Sequence, residues 1–157
     1  MTDRIYNVLF LCTGNSARSI IAESALNGLG GGRFRAYSAG SHPQSKVHPM
    51  TLDILQKNRL PTARLRSKSW DEFALPGAPA MDFVFTVCSN AAGEVCPVWP
   101  GHPMTAHWGV DDPAAIIGPE EVQRQAFLKT LAQLQARISR LLSLSIEKLE
   151  AIKAQAK

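Results

Sequence analysis

At 157 residues the chain suits one domain, long enough to bury about two-thirds of its unfolded surface, and no apolar run approaches the ~20 residues of a membrane span. It is 45% hydrophobic and 19% charged, an ordinary globular balance, and its formal charge of +4 suits an anionic substrate. No Lys/Arg run with interleaved aromatics supports nucleic-acid binding, and three cysteines (Cys12, Cys88 and Cys96) are too few and too scattered for a secreted disulfide framework. Met1-Thr2-Asp3-Arg4 leads straight toward the first apolar run, without a signal-peptide pattern, which sets the expectation of a cytoplasmic protein.

Ile5, then Val8 to Leu11, reads as a buried strand: the run is unbroken, β-branched at its ends and too short for a helix. Small and polar residues carry the chain from Cys12 to Arg18. A helix is expected from Ser19 (as N-cap) to Leu29, with Ile20, Ile21, Ala25, Leu26 and Leu29 on its apolar face. Gly28, Gly30, Gly31 and Gly32 stop it. Arg33 to Ala39 reads as a second strand, Pro49 opens a helix ending near Asn58, and Ser67 to Phe73 reads as a short helix. Asp82 to Val87 is a third, strongly β-prone strand with Cys88 at its end. A long Gly/Pro-rich stretch follows, with a short strand expected at Met104 to Trp108. Pro119, Glu120 and Glu121 open a last long helix whose apolar set is Phe127, Leu128, Leu131, Leu134, Ile138, Leu141 and Leu142. Ser143 to Ile146 interrupt that stripe. Residues 1–143 are therefore expected to form a single catalytic domain and residues 144–157 a mostly polar helical extension, dispensable for the core. Arg33 with Arg35, and Arg59, Arg64, Arg66 and Lys68, read as solvated faces.

Strand–helix alternation implies βαβ crossovers, and hence an α/β fold with a parallel sheet and helices on both faces. Ligands of such sheets sit at the carboxyl ends of the strands, where Cys12 and Cys88 both fall. A strand, loop and helix in succession also converge backbone N–H groups on an anion. Into that concavity the sequence sets a thiol, and a guanidinium six residues later. The amides and Arg18 favour the Cys12 thiolate, and Arg18 offers two parallel donors to a tetrahedral oxyanion. Gly14 and Asn15 tolerate the positive φ that such a loop needs. The plain alternative is a structural cysteine ending a strand, followed by a surface arginine.

Cys88 and Cys96 bracket a segment of seven residues that can bend to let the sulfurs meet; the alternative is two idle thiols. His102 and His107 complete no zinc pattern with them. Asp111-Asp112-Pro113 is turn chemistry when taken alone.

Cys12-Thr13-Gly14-Asn15-Ser16-Ala17-Arg18-Ser19 resembles the phosphate-binding loop of the low-molecular-weight protein tyrosine phosphatase superfamily, which includes arsenate reductases. Tyr37 to Ser41, Cys88 to Pro97 and His107 to Ala114 extend the resemblance over roughly residues 5 to 143. Ala114 and Ala115 follow Asp112-Pro113 where the phosphatases typically carry tyrosines. The Cys pair and His107-Trp108-Gly109-Val110-Asp111-Asp112-Pro113-Ala114 are instead similar to the thioredoxin-coupled arsenate reductases. Ala17 stands where many of these carry a second loop cysteine.

That resemblance implies a three-layer sandwich around a four-stranded parallel sheet and an enzyme of arsenic resistance. Arsenate, with phosphate or sulfate as mimics, would bind the loop residues Thr13, Gly14, Asn15, Ser16, Ala17, Arg18 and Ser19. Cys12 would attack arsenic, Ser19 would hydrogen-bond its thiolate, Asp112 would protonate the departing oxygen, and Asp111 would cap or orient. Cys88 and then Cys96 would relay the disulfide to an external thiol reductant, thioredoxin or glutaredoxin, with no tightly bound cofactor. Some members bind potassium near the loop, and Asn15, Glu23, Ser38 and Asp71 look like its ligands, although no metal is required. The alternatives are a phosphatase of the same superfamily and a non-catalytic oxyanion or thiol sensor.

Overall fold

The computed structural model describes residues 5–87 and 104–155. Cys88 and Cys96, with the residues between them, lie outside the described residues. The chain runs β1 (Tyr6–Cys12), α1 (Arg18–Leu29), β2 (Phe34–Gly40), α2 (Pro49–Lys57), a 3-10 turn (Trp70–Ala74), β3 (Phe83–Thr86), β4 (Met104–His107), a second 3-10 turn (Pro113–Ala115), α3 (Glu120–Leu142) and α4 (Ile146–Gln155).

The four strands form one parallel sheet in the order β2-β1-β3-β4. The unbroken apolar run makes β1 a central strand, flanked on both edges, so both of its faces must be covered. Side chains alternate across it. Val8 and Phe10 meet Ile21, Ala25 and Leu26 of α1, Ile54 and Leu55 of α2, and Phe127, Leu131, Leu134 and Ile138 of α3. Leu9 and Leu11 point the other way, against Ala39, Met81, Val84 and the 3-10 turn's Trp70 and Phe73. The result is an α/β sandwich: among the described residues α-helices cover one face of the sheet, and the 3-10 turn at Trp70–Ala74 packs on the other. Among the described residues no helix is long and apolar enough to cross a membrane.

Some local details differ from the sequence expectations. The N-cap of helix α1 lies two residues early, at Ala17 rather than Ser19, with no side-chain cap. The Ser19 hydroxyl is engaged elsewhere, inside the loop. Leu29 is exposed, because the chain leaves the helix there and turns through Gly31 (φ 59°) and Gly32 (φ 84°), a left-handed path that a side chain would resist. The extension is docked on the core. Leu149 is 0% exposed, the Tyr6 hydroxyl donates to Glu150 Oε2 at 2.6 Å, and Arg33 donates to the carbonyls of Leu142 (3.0 Å) and Leu144 (2.8 Å), holding the α3–α4 corner. A guanidinium at a helix C-terminus satisfies carbonyls that the helix leaves open. The segment expected to be dispensable for the core has the composition of a polar tail, yet it seats an apolar anchor, Leu149, on that core.

Candidate active site

The register sets the end of β1 beside those of its neighbours, pairing Cys12 with Gly40 and Leu11 with Thr86. From Cys12 the chain curls into a loop whose carbonyls are turned outward. Those of Cys12, Thr13, Gly14 and Ser16 accept from the backbone N–H groups of Ser41 (3.3 Å), His42 (2.9 Å), Gln44 (3.0 Å) and His48 (3.0 Å). The Thr51 hydroxyl also donates to Ser16 O, and the Ser67 hydroxyl to Gly14 O. In a trans peptide the N–H opposes the preceding C=O. Fixing these carbonyls outward therefore turns the N–H groups of Thr13, Gly14, Asn15 and Ala17 into the loop. One reaches its target, the Asn15 N–H donating to Cys12 Sγ at 3.2 Å. Asn15 carries the positive φ (47°); Gly14 is not among the positive-φ residues, and its open side is filled by the Gln44 side chain.

Cys12 is 2% exposed. Its sulfur lies 2.8 Å from Ser19 Oγ, and the Asn15 side-chain amide donates to the same oxygen at 2.7 Å and to Ser38 Oγ at 3.0 Å. The orientation of that amide is fixed, because its Oδ1 accepts the Lys68 backbone N–H at 2.8 Å. A thiolate can only accept, so Ser19 donates to it once Cys12 is ionised. Ser38 donates onward to Glu23 Oε1 at 2.5 Å. Burial pushes the Glu23 carboxyl up from the usual range and pushes the Lys68 ammonium down, and each charge partly restores the other.

Arg18 opens α1, and its side chain is 15% exposed. It donates to Val110 O at 3.2 Å and stands 3.7 Å from Asp112 Oδ2. Asp112 is placed by the continuation of β4. Trp108 N donates to Thr86 O and Val110 N to Val87 O, while the Trp108 ring stacks on Phe85 with 4.0 Å between centroids. Asp112 Oδ1 accepts from Ala114 N, capping the second 3-10 turn, and the side chain is 41% exposed. The turn residue and the candidate acid are thus the same residue, Asp112, whereas Asp111 is exposed.

The candidate potassium ligands are only partly together. Asn15, Glu23 and Ser38 are buried and connected, while Asp71 is exposed on the 3-10 turn. Among the described residues, no group of three His, Cys, Asp or Glu side chains could hold a metal ion. The residue beside Glu23 is Lys68, 8% exposed, with Nζ 3.8 Å from Glu23 Oε1 and donating to Arg66 O at 2.9 Å. A solvated face was the expectation for Lys68, and it is corrected here: composition groups it with Arg64 and Arg66, but its backbone pairing to Asn15 turns it inward. Gly40 is a second residue that the sequence did not single out. A Cβ there would lie 2.6 Å from Thr13 O, so the close approach of β2 to the loop requires glycine.

A backbone-lined anion pocket with a buried thiol, an arginine and a nearby carboxylic acid is the arrangement expected for nucleophilic attack on a tetrahedral oxyanion. Residues 7–156 match the model of the family described as low molecular weight phosphotyrosine protein phosphatase. An arsenate reductase from Bacillus licheniformis is 34% identical over 133 residues, 85% of this chain and 92% of the relative. The structure of an arsenate reductase from Archaeoglobus fulgidus superposes with a TM-score of 0.67 at 26% identity, covering 87% of this chain and 99% of the other. That of a thioredoxin-dependent arsenate reductase from Corynebacterium glutamicum superposes with a TM-score of 0.65 at 25% identity over 97% of this chain, which spans only 63% of that protein. The chain belongs to the low-molecular-weight phosphotyrosine protein phosphatase family, and these relatives of it are arsenate reductases.

Proposed function

We propose that this protein is an arsenate reductase, with Cys12 as nucleophile. The observation that carries the chemistry is the loop's inward-turned amides around a buried sulfur that already receives the Asn15 N–H. The curated relatives support arsenate as the substrate. Arsenate enters the loop formed by Thr13 to Ser19, and Arg18 leaves Asp112 to clamp two of its oxygens. The Cys12 thiolate attacks arsenic(V); an As–S bond forms, and Asp112 donates its proton to the oxygen that departs as water. The thiolate of Cys88 then attacks Cys12 Sγ. A disulfide forms, the As–S pair stays on arsenic, and arsenite(III) leaves with two electrons gained. Cys96 attacks Cys88, Cys12 is released as thiolate, and the Cys88–Cys96 disulfide is reduced by an external dithiol protein.

The thioredoxin-dependent neighbour favours thioredoxin over glutaredoxin as that reductant. No tightly bound cofactor is needed, phosphate or sulfate would occupy the loop as mimics, and the reducing cytoplasm suits the chemistry. Residues 1–143 carry the reaction and residues 144–157 steady the fold.

The reading is tested by arsenate-dependent NADPH consumption with thioredoxin and its reductase. Disulfide mapping after one turnover tests the relay: Cys96→Ser should accumulate a Cys12–Cys88 link with one equivalent of arsenite, and Cys88→Ser should release none through it. Failure of either result overturns the relay. Both variants should keep slow hydrolysis of an aryl phosphate, which needs only Cys12, Arg18 and Asp112.

A further inference from the structure

The polar chain behind the sulfur ends on a cation that belongs to the protein. From Cys12 Sγ it passes through Ser19, Asn15 and Ser38 to Glu23, and beside Glu23 stands Lys68. Lys68 enters this chain twice. Its backbone N–H fixes the Asn15 amide, and its ammonium faces the buried Glu23 carboxylate while donating to Arg66 O.

This arrangement does not fit an alkali ion, which needs several free oxygen donors around one point. Asn15 Oδ1 is already engaged by an N–H, so the amide turns its NH2 toward Ser19 and Ser38. Ser38 gives its proton to Glu23, and Asp71 is exposed and outside the cluster. An ammonium group stands next to the carboxylate that ends the hydrogen-bonded chain, with Nζ 3.8 Å from Glu23 Oε1. We propose that Lys68 is the resident cation of this site: tethered to the chain, it neutralises Glu23, holds Ser38, Asn15 and Ser19 in register behind Cys12, and makes the enzyme independent of potassium. Lys68 touches neither substrate nor sulfur, so it is a positioning residue. A tethered charge stays in place at any ionic composition, whereas a dissociable ion comes and goes with its concentration.

A cavity of about 900 Å³ is lined by Glu23, Tyr37, Pro61, Arg66, Lys68 and Glu72, among others. Truncating Lys68 would open Glu23 to small ions through it, which allows a rescue experiment.

The inference rests on Cys12 being the nucleophile, so the readouts are chosen to separate the two ideas and need no arsenate. They are the rate of Cys12 alkylation by iodoacetamide, followed on its own peptide, and aryl-phosphate hydrolysis. In the wild type both should be the same in potassium chloride and in choline chloride at equal ionic strength. Lys68→Ala should slow both about tenfold, the rate equivalent of losing one charge-assisted contact. Ammonium or potassium should restore much of the loss, tetramethylammonium should not, and adding Glu23→Gln should abolish the rescue. Lys68→Met, uncharged but similar in volume, serves if the alanine variant fails to fold. Potassium activation of the wild type overturns the inference, as does a folded Lys68 variant with wild-type rates or one that small cations do not rescue. A wild-type Cys12 no more reactive than an ordinary thiol overturns the nucleophile reading, and this inference with it.

Discussion

On the thiol side of the site, each polar group is buried and committed. Asn15, Ser19, Ser38, Glu23 and Lys68 hold one another at hydrogen-bond or ion-pair distance, and the loop carbonyls are tied to residues 41–51. On the acid side, Asp112 is 41% exposed, caps a 3-10 turn of three residues and meets Arg18 only at 3.7 Å. The difference matches what the proposed roles of Cys12 and Asp112 require of each side. A nucleophile gains from fixed donors that need no rearrangement when its charge forms. An acid that first pairs with Arg18 and then with a departing oxygen must be able to change partners, and acid–base contacts commonly tighten only when substrate is bound.

Substitutions at the two sides should therefore fail differently. Cys12→Ser is expected to have the largest effect, because a neutral hydroxyl with no base beside it is a poor nucleophile. Turnover should vanish while the fold persists, and residual arsenate reduction above a few per cent of wild type would remove Cys12 from its role. Asp112→Asn should lower kcat by about 10²–10⁴-fold, the usual contribution of a general acid. It should leave thermal stability almost unchanged, because the asparagine carbonyl can still cap Ala114. A large loss of stability would show that the acid side is structurally committed after all.

The sequence revealed more of one side than of the other. The β1 strand, the loop and the start of α1 lie within fifteen consecutive residues, so local pattern located Cys12, Asn15 and Arg18; it read Ser19 as an N-cap, and only the resemblance set that hydroxyl beside the sulfur. The parallel sheet was accessible for a similar reason, since alternating strands and helices imply crossover connections, but its strand order was not. Lys68 was hidden because nothing in Arg64-Leu65-Arg66-Ser67-Lys68 distinguishes an inward lysine from its exposed neighbours. Only the pairing of its N–H with Asn15, 53 residues away, does so. Gly40 was hidden likewise, its need set by a loop carbonyl distant in sequence. The anchoring of α4 depends on a single leucine in a polar segment, too weak a signal for periodicity to detect.

That anchor separates site from scaffold. Leu149→Ala removes a side chain that is 0% exposed and should cost about 2–5 kcal/mol of stability, the range for emptying a buried leucine site. Activity per folded molecule should not change, since Leu149 lies far from the loop in sequence and packs on the Tyr6 end of the core. Chemical denaturation and kinetics on the same sample check both halves. A chain ending at Ser143 should lose at least as much stability, and one as stable as the full chain would return α4 to the standing of a loose tail.

The smallest effect comes from two carboxylates that titrate in opposite senses. Burial pushes Glu23 above the usual glutamate range. The stability its environment contributes is therefore full below the unfolded pKa and declines as pH rises through the raised one. Glu72 is half-exposed and accepts two hydrogen bonds from Arg66, at 3.0 and 2.6 Å, which hold it below the usual range. Its contribution is present above the unfolded value and disappears as pH falls through the depressed one. Measured against pH, Glu23→Gln should gain on wild type as pH rises past the ordinary glutamate pKa. Glu72→Gln should lose to it as pH rises toward that same value from below. The Glu72 difference should stay within about 1 kcal/mol, as surface pairs do, and shrink further in salt. If both variants moved in the same direction, Glu23 would not be paying for its burial, and the contrast between a committed interior and a replaceable surface would be lost.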